Sequence, residues 1–78
     1  MTTHYGIVIS SSAESYHPGQ QLKADRVCRS RMLALRLAAK WNREQWLREE
    51  AAPGHGHSRL RYRVVETIAR RRGMITVI

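Results

Sequence analysis

The chain has no phenylalanine, two prolines and one cysteine among its 78 residues, and only six acidic side chains against fourteen lysines and arginines. Each scarcity removes a class of protein. A lone cysteine, Cys28, excludes an internal disulfide and suits a reducing compartment. No apolar run approaches the roughly 20 residues of a membrane-spanning helix. The opening residues MTTHYG lack the basic-then-apolar order of a signal peptide, so a cytoplasmic protein is expected. Without phenylalanine, the aromatic bulk falls to Trp41, Trp46, Tyr5, Tyr16 and Tyr62. A chain this short buries about 60–65% of its unfolded surface. It has room for one helix-on-sheet core in a single domain, and none for an enclosed active-site cavity.

What is abundant is positive charge. The net charge is +8, and it is unevenly placed. From Arg26 to Arg43 there are six cations and no acid, and from Arg59 onward six arginines face Glu66 alone. Glu44, Glu49 and Glu50 fall between these two regions. Arginine outnumbers lysine heavily, and its planar fork suits phosphate and carboxylate. Such an imbalance implies an anionic partner: nucleic acid, a nucleoprotein, or an acidic protein surface. The plain alternative is charge kept for solubility.

The longest stretch free of glycine and proline runs over 30–50 and is rich in helix formers. At 100° per residue, Met32, Leu33, Ala34, Leu35, Leu37, Ala38, Ala39, Trp41 and Trp46 spread over more than half the circumference. The remaining sector holds Arg36, Lys40 and Arg43, with Leu47 among them. The pattern predicts an amphipathic helix with a wide apolar face and a narrow basic stripe. One sheet needs an apolar arc of only about 100°. The excess calls for a second surface: either a small sheet that wraps the helix and leaves alanines half exposed, or a partner or second copy that covers Trp41 or Trp46.

Around the helix the period changes to two. Tyr5, Ile7 and Ile9 alternate with His4, Gly6 and Val8, which predicts a strand over 4–10. Pro18-Gly19 is turn chemistry. Residues 20–29 admit two readings. As a strand they pair back on the first strand, and Ser30 caps the helix. As a helix they lengthen the central one. The strand is preferred, because Arg31 would otherwise sit inside the apolar face. Pro53 ends the helix after Ala52. In the strand predicted over 60–68, Leu60, Tyr62, Val64, Glu66 and Ile68 share one face, and Arg59, Arg61, Arg63, Val65 and Thr67 the other. MITVI, 74–78, is a last strand that is apolar on both faces, so it must be covered or pair with something. The expected fold is α+β: a three- to four-stranded, mainly antiparallel sheet with one long amphipathic helix packed on one face.

Two groups of cations are candidate binding residues. The first is Arg36, Lys40 and Arg43 on the helix, with Arg29 and Arg31 at its start. Arg29 and Arg31 at the helix start and Glu49 and Glu50 at its end both oppose the helix dipole, so local stability did not select them. With Ser30 and free N–H groups, Arg29 and Arg31 would make an anion site. The second is Arg59, Arg61 and Arg63, followed by Arg70, Arg71 and Arg72. With the helix on the Tyr62 face, these line the open face of the sheet. The rings then point inward, which favours plain charge contact over base stacking. A solvated face is the simplest account of either group. Trp41 and Trp46 are candidate apolar anchors for a protein partner. His55 and His57 are too few to hold a metal, with only His4, His17 and Cys28 elsewhere. No nucleophile with base and orienter is visible, nor any phosphate-cradling loop, so neither catalysis, cofactor nor metal is expected.

Two resemblances follow from these residues. A strand, then Ser30, Ala34, Ala38 and Trp41-Asn42 on a helix, then Arg61-Tyr62-Arg63-Val64-Val65-Glu66, resembles in layout and size the small accessory proteins of phages and mobile elements, among them anti-CRISPR proteins. That resemblance implies a non-enzymatic inhibitor that docks on a nucleoprotein complex where it binds nucleic acid. The tail, Arg61 to Val65 followed by Met74 to Ile78, resembles the late strands of RelE/ParE-type toxins, which implies action on messenger RNA. The favoured expectation is an inhibitor that blocks nucleic-acid binding by its target, ahead of a direct DNA- or RNA-binding module and then of a toxin. No membrane partner is expected, and a homodimer through the wide helix face is an open possibility.

Overall fold

The computed structural model describes residues 3–11, 13–52, 54, 56–69 and 73–78. Five strands and one helix follow in the order β1 (His4–Ser11), β2 (Gln21–Lys23), β3 (Arg26–Cys28), α1 (Arg31–Ala51), β4 (Leu60–Ala69) and β5 (Met74–Val77). The sheet is antiparallel throughout, with strand order β2-β5-β4-β1-β3. It therefore has five strands where three or four are expected from the sequence.

The order carries a geometric consequence. In a flat sheet the two edge strands would lie four spacings apart, about 19 Å. Yet β2 ends at Lys23 and β3 begins at Arg26, and three residues of chain span at most about 11 Å. The sheet must curl until its edges nearly meet. Residues 21–28 are in effect one kinked strand that changes neighbours at its middle. The Ala24 N–H donates to the Gly73 carbonyl at 2.6 Å, and the next N–H, of Asp25, donates to Ile7 at 2.8 Å. The strand reading of 20–29 holds, but only its second half pairs with β1; the first half pairs with β5. The turn ahead of it forms at Pro18-Gly19, where Gly19 takes φ 87° and the Gln20 N–H closes onto the His17 carbonyl.

Curling gives the sheet an inside. Val8, Ala24, Val65, Ile75 and Val77 form one buried cluster there, with Tyr16, Leu22 and Val27 against it. At Gly6 the inside is tight: a Cβ there would stand 2.5 Å from Ile75 Cδ1, so the Ile75 side chain would have to shift. The face that carries Arg61 and Arg63 is thus the concave face, closed by its own core. The expectation that these arginines line an open sheet face is corrected. Val8, Val65 and Thr67 alternate onto the same face as the arginines, and the curl brings β5 over them.

The helix packs on the convex face. Ser30 is extended at φ −104°, and its hydroxyl accepts from the Leu33 N–H at 3.2 Å, so the cap forms as expected. Ala34 and Ala38 are buried against Ile7 and Cys28, with Leu37, Trp41, Tyr5, Tyr62 and Val64 around them. Small side chains let the backbone come close. The expected wrapping, with alanines left half exposed, is corrected in part: Ala39 is exposed, but Ala34 and Ala38 make the contact, and the sheet wraps around its own core. Helix side chains also complete the sheet. β5 pairs with β4 only over Thr67 to Ala69, so one edge of β4 lacks a strand before that point. Asn42 fills the gap, accepting from the Tyr62 N–H at 2.7 Å and donating to its carbonyl at 3.0 Å. Gln45 donates to the Leu60 carbonyl at 2.8 Å. An unpaired edge invites other strands, and here the helix blunts it. Among the described residues no helix is long and apolar enough to cross a membrane.

Candidate functional site

The outer face of α1 lies opposite the row Ala34, Ala38, Trp41 and Gln45. Arg36, Lys40 and Arg43 are exposed there, on the sector that the helical period assigns to them. Lys40 reaches Glu44 at 4.0 Å, with both side chains largely exposed, a pair of little weight. Arg36 and Arg43 have no ion-pair partner among the described residues. Beside them stand Met32, Leu33, Leu35 and Leu47, at 61, 57, 45 and 53% exposure. The result is a cationic row set among large apolar side chains on one helix. At its start, Arg29 and Arg31 are also exposed, while the Ser30 hydroxyl is engaged by the cap.

The arginines of β4 are differently placed. Arg63 donates to the Glu14 carbonyl at 2.7 Å and to Ser10 Oγ at 3.3 Å, and lies 5.2 Å from the Tyr16 ring centroid. Arg61 donates to the Leu60 carbonyl and to Glu49, and lies 5.4 Å from the centroid of Trp46. Both are half-buried and tie the segment after β1, the strand and the helix end together. Arg59 is exposed. Arg70, Arg71 and Arg72, and His55, lie outside the described residues.

Glu49 is the centre of the tie at the helix end. It accepts from the Ser58 N–H at 2.8 Å, from Arg61 at 3.2 Å and from Gln45 at 3.4 Å, and His57 Nδ1 lies 3.1 Å away. The Ser58 N–H is the main reason its carboxyl is lowered from 4.5 to about 2; partial burial opposes the shift, and His57, Gln45 and Arg61 add to it. A glutamate at a helix C-terminus works against the dipole, but this one holds the connection to β4. Local structure therefore accounts for Glu49, contrary to the expectation from charge order. Trp46 is likewise engaged locally: His57 stacks on it at 3.3 Å between centroids, and its indole N–H donates to Glu50 at 3.0 Å. Trp41 packs edge-on against Tyr62 at 5.1 Å. Trp41 is half-buried, whereas Trp46 stays 44% exposed despite these contacts; the other large apolar side chains exposed on the helix are Met32, Leu33, Leu35 and Leu47.

A groove runs between α1 and the kink at Asp25-Arg26, lined also by Trp41, Glu44, Arg48 and Tyr62. Sequence spacing does not reveal it, because three separate elements supply its residues. Cys28 is buried and free. Among the described residues no group of three or more His, Cys, Asp or Glu side chains is placed to hold a metal ion. Set beside known proteins, the chain matches no family model, no curated protein and no solved structure.

Proposed function

We propose that this is a binding protein that docks through the outer face of α1 on an acidic, partly apolar surface of a nucleoprotein complex and blocks it, as an inhibitor of the anti-CRISPR type would. The observation that supports this reading is the interleaving of Arg36, Lys40 and Arg43 with exposed Met32, Leu33, Leu35 and Leu47. A phosphate track needs cations alone. Protein interfaces add desolvated apolar anchors at their centre and draw on arginine around them. Exposed apolar side chains grouped on one face mark interaction sites.

The test is capture of purified nucleoprotein complexes, CRISPR effectors first, with and without nuclease treatment. Wild-type protein should retain its complex after nuclease treatment. Arg36→Glu with Arg43→Glu should lose it, and so should Leu35→Ser, with folding intact in both. Capture that depends wholly on intact nucleic acid would move the reading to a direct nucleic-acid-binding module.

A further inference from the structure

The groove beside α1 belongs neither to the outer face nor to the core. It is open, has a volume of about 390 Å³, and is lined by Asp25, Arg26, Trp41, Glu44, Arg48 and Tyr62. The kink of the β2–β3 segment supplies the first two residues, one side of α1 the next three, and β4 the last. Its floor is aromatic, with Trp41 and Tyr62 packed edge to face. Its rim carries two guanidinium groups and two carboxylates. Opposite charges around a small groove ordinarily pair. Here Asp25, Arg26 and Arg48 form no ion pair among the described residues, and Glu44 has only its 4.0 Å contact with exposed Lys40. The charges line a space instead of neutralising one another. The Arg26 guanidinium stands over the Trp41 ring, 5.8 Å from its centroid.

This donor and acceptor set discriminates between ligand classes. An acidic peptide would use the arginines, but it would meet two carboxylates and leave the ring idle. An arginine side chain would use the ring and the carboxylates, but it would oppose Arg26 and Arg48. A nucleotide matches all of them. Its base stacks on an indole, its phosphate takes forked contacts from arginine, and an exocyclic amine donates to a carboxylate. Small-ligand sites occupy about 300–1,000 Å³, and the groove falls at the lower end, with room for one nucleotide and none for a duplex.

We propose that the groove binds a single unpaired nucleotide. The base stacks on Trp41, where the Arg26 guanidinium now lies; Arg26 and Arg48 hold the phosphate; Asp25 or Glu44 accepts from the base amine. The site shares neither Arg36 nor Arg43 with the docking face.

The test is an NMR titration of the full chain with AMP, CMP and UMP, and with ribose 5-phosphate as a probe that lacks a base. AMP and CMP should shift the Trp41 indole N–H and the Asp25 and Arg26 amides saturably, and leave the Trp46 indole N–H in place. UMP, which has no exocyclic amine, should bind more weakly, and ribose 5-phosphate should leave the Trp41 indole unmoved. Arg26→Gln with Arg48→Gln, both at exposed positions, should raise the half-saturation concentration by about tenfold or more. Arg36→Glu with Arg43→Glu should leave it unchanged, so the groove and the docking face can fail separately. Shifts that grow without saturating, shifts equal in the Arg26/Arg48 variant, or saturation by acetyl-arginine amide in place of nucleotides would overturn the proposal.

Discussion

Arg63 and Arg43 are chemically the same, and the fold uses them in opposite ways. Arg63 is half-buried, bonded to Ser10 and Glu14 and set over Tyr16. Arg43 stands on the outer face of the helix with no ion-pair partner among the described residues. The net charge of +8 therefore overstates what is on offer to a partner. Cations on the curled strand hold the molecule together, and cations opposite the packed row of α1 remain available. The difference follows from curvature. A flat sheet would have exposed both sets.

The contrast can be broken from the structural side first. Arg63→Ala removes two hydrogen bonds and a ring contact, and should cost about 1–2 kcal/mol in urea unfolding, with docking by the folded protein unchanged. Glu49→Gln should act next, and through pH. The Glu49 carboxyl is lowered from 4.5 to about 2 in the folded state. Its stabilising effect is therefore full above about pH 4.5 and is lost as pH falls toward 2. Wild type should lose melting temperature through that window more steeply than Glu49→Gln, and the two should converge at its acid end. Equal slopes would remove Glu49 from the centre of the tie. The smallest effect belongs to the outer face: Lys40→Ala breaks only an exposed 4.0 Å pair and should change stability by less than about 0.5 kcal/mol.

Much of the local structure was legible in the residues. Period-two alternation marked β1 and β4, Ser30 marked the helix start, Pro53 its limit, and the basic stripe fell on the solvent side. Each depends on neighbours a few positions apart. The curl did not show itself, because residues 21–28 change partners at Ala24-Asp25 without a glycine or proline to mark the bend. A signal was present all the same. Val8, Val65 and Thr67 share a face with the arginines, and MITVI is apolar on both faces. An open, solvated sheet face has no use for those side chains. The groove at Arg26 was illegible for another reason: it is assembled from elements far apart in the chain. The partners of Glu49 lie within twelve residues of it, but the path of the connection from α1 to β4 brings them together, and no periodicity encodes that path.

The central claim is that the cations on the outer face of α1 are available and serve a protein surface. Its most direct test is fluorescence anisotropy of labelled double-stranded DNA and RNA, which cannot enter the groove, at low and near-physiological salt, against wild type, Arg36→Glu with Arg43→Glu, and Arg63→Ala. The expected result is weak binding that disappears as salt rises, is lost in the helix variant and is kept in Arg63→Ala. Tight binding that survives salt, or binding that depends on Arg63 and ignores Arg36 and Arg43, would contradict it.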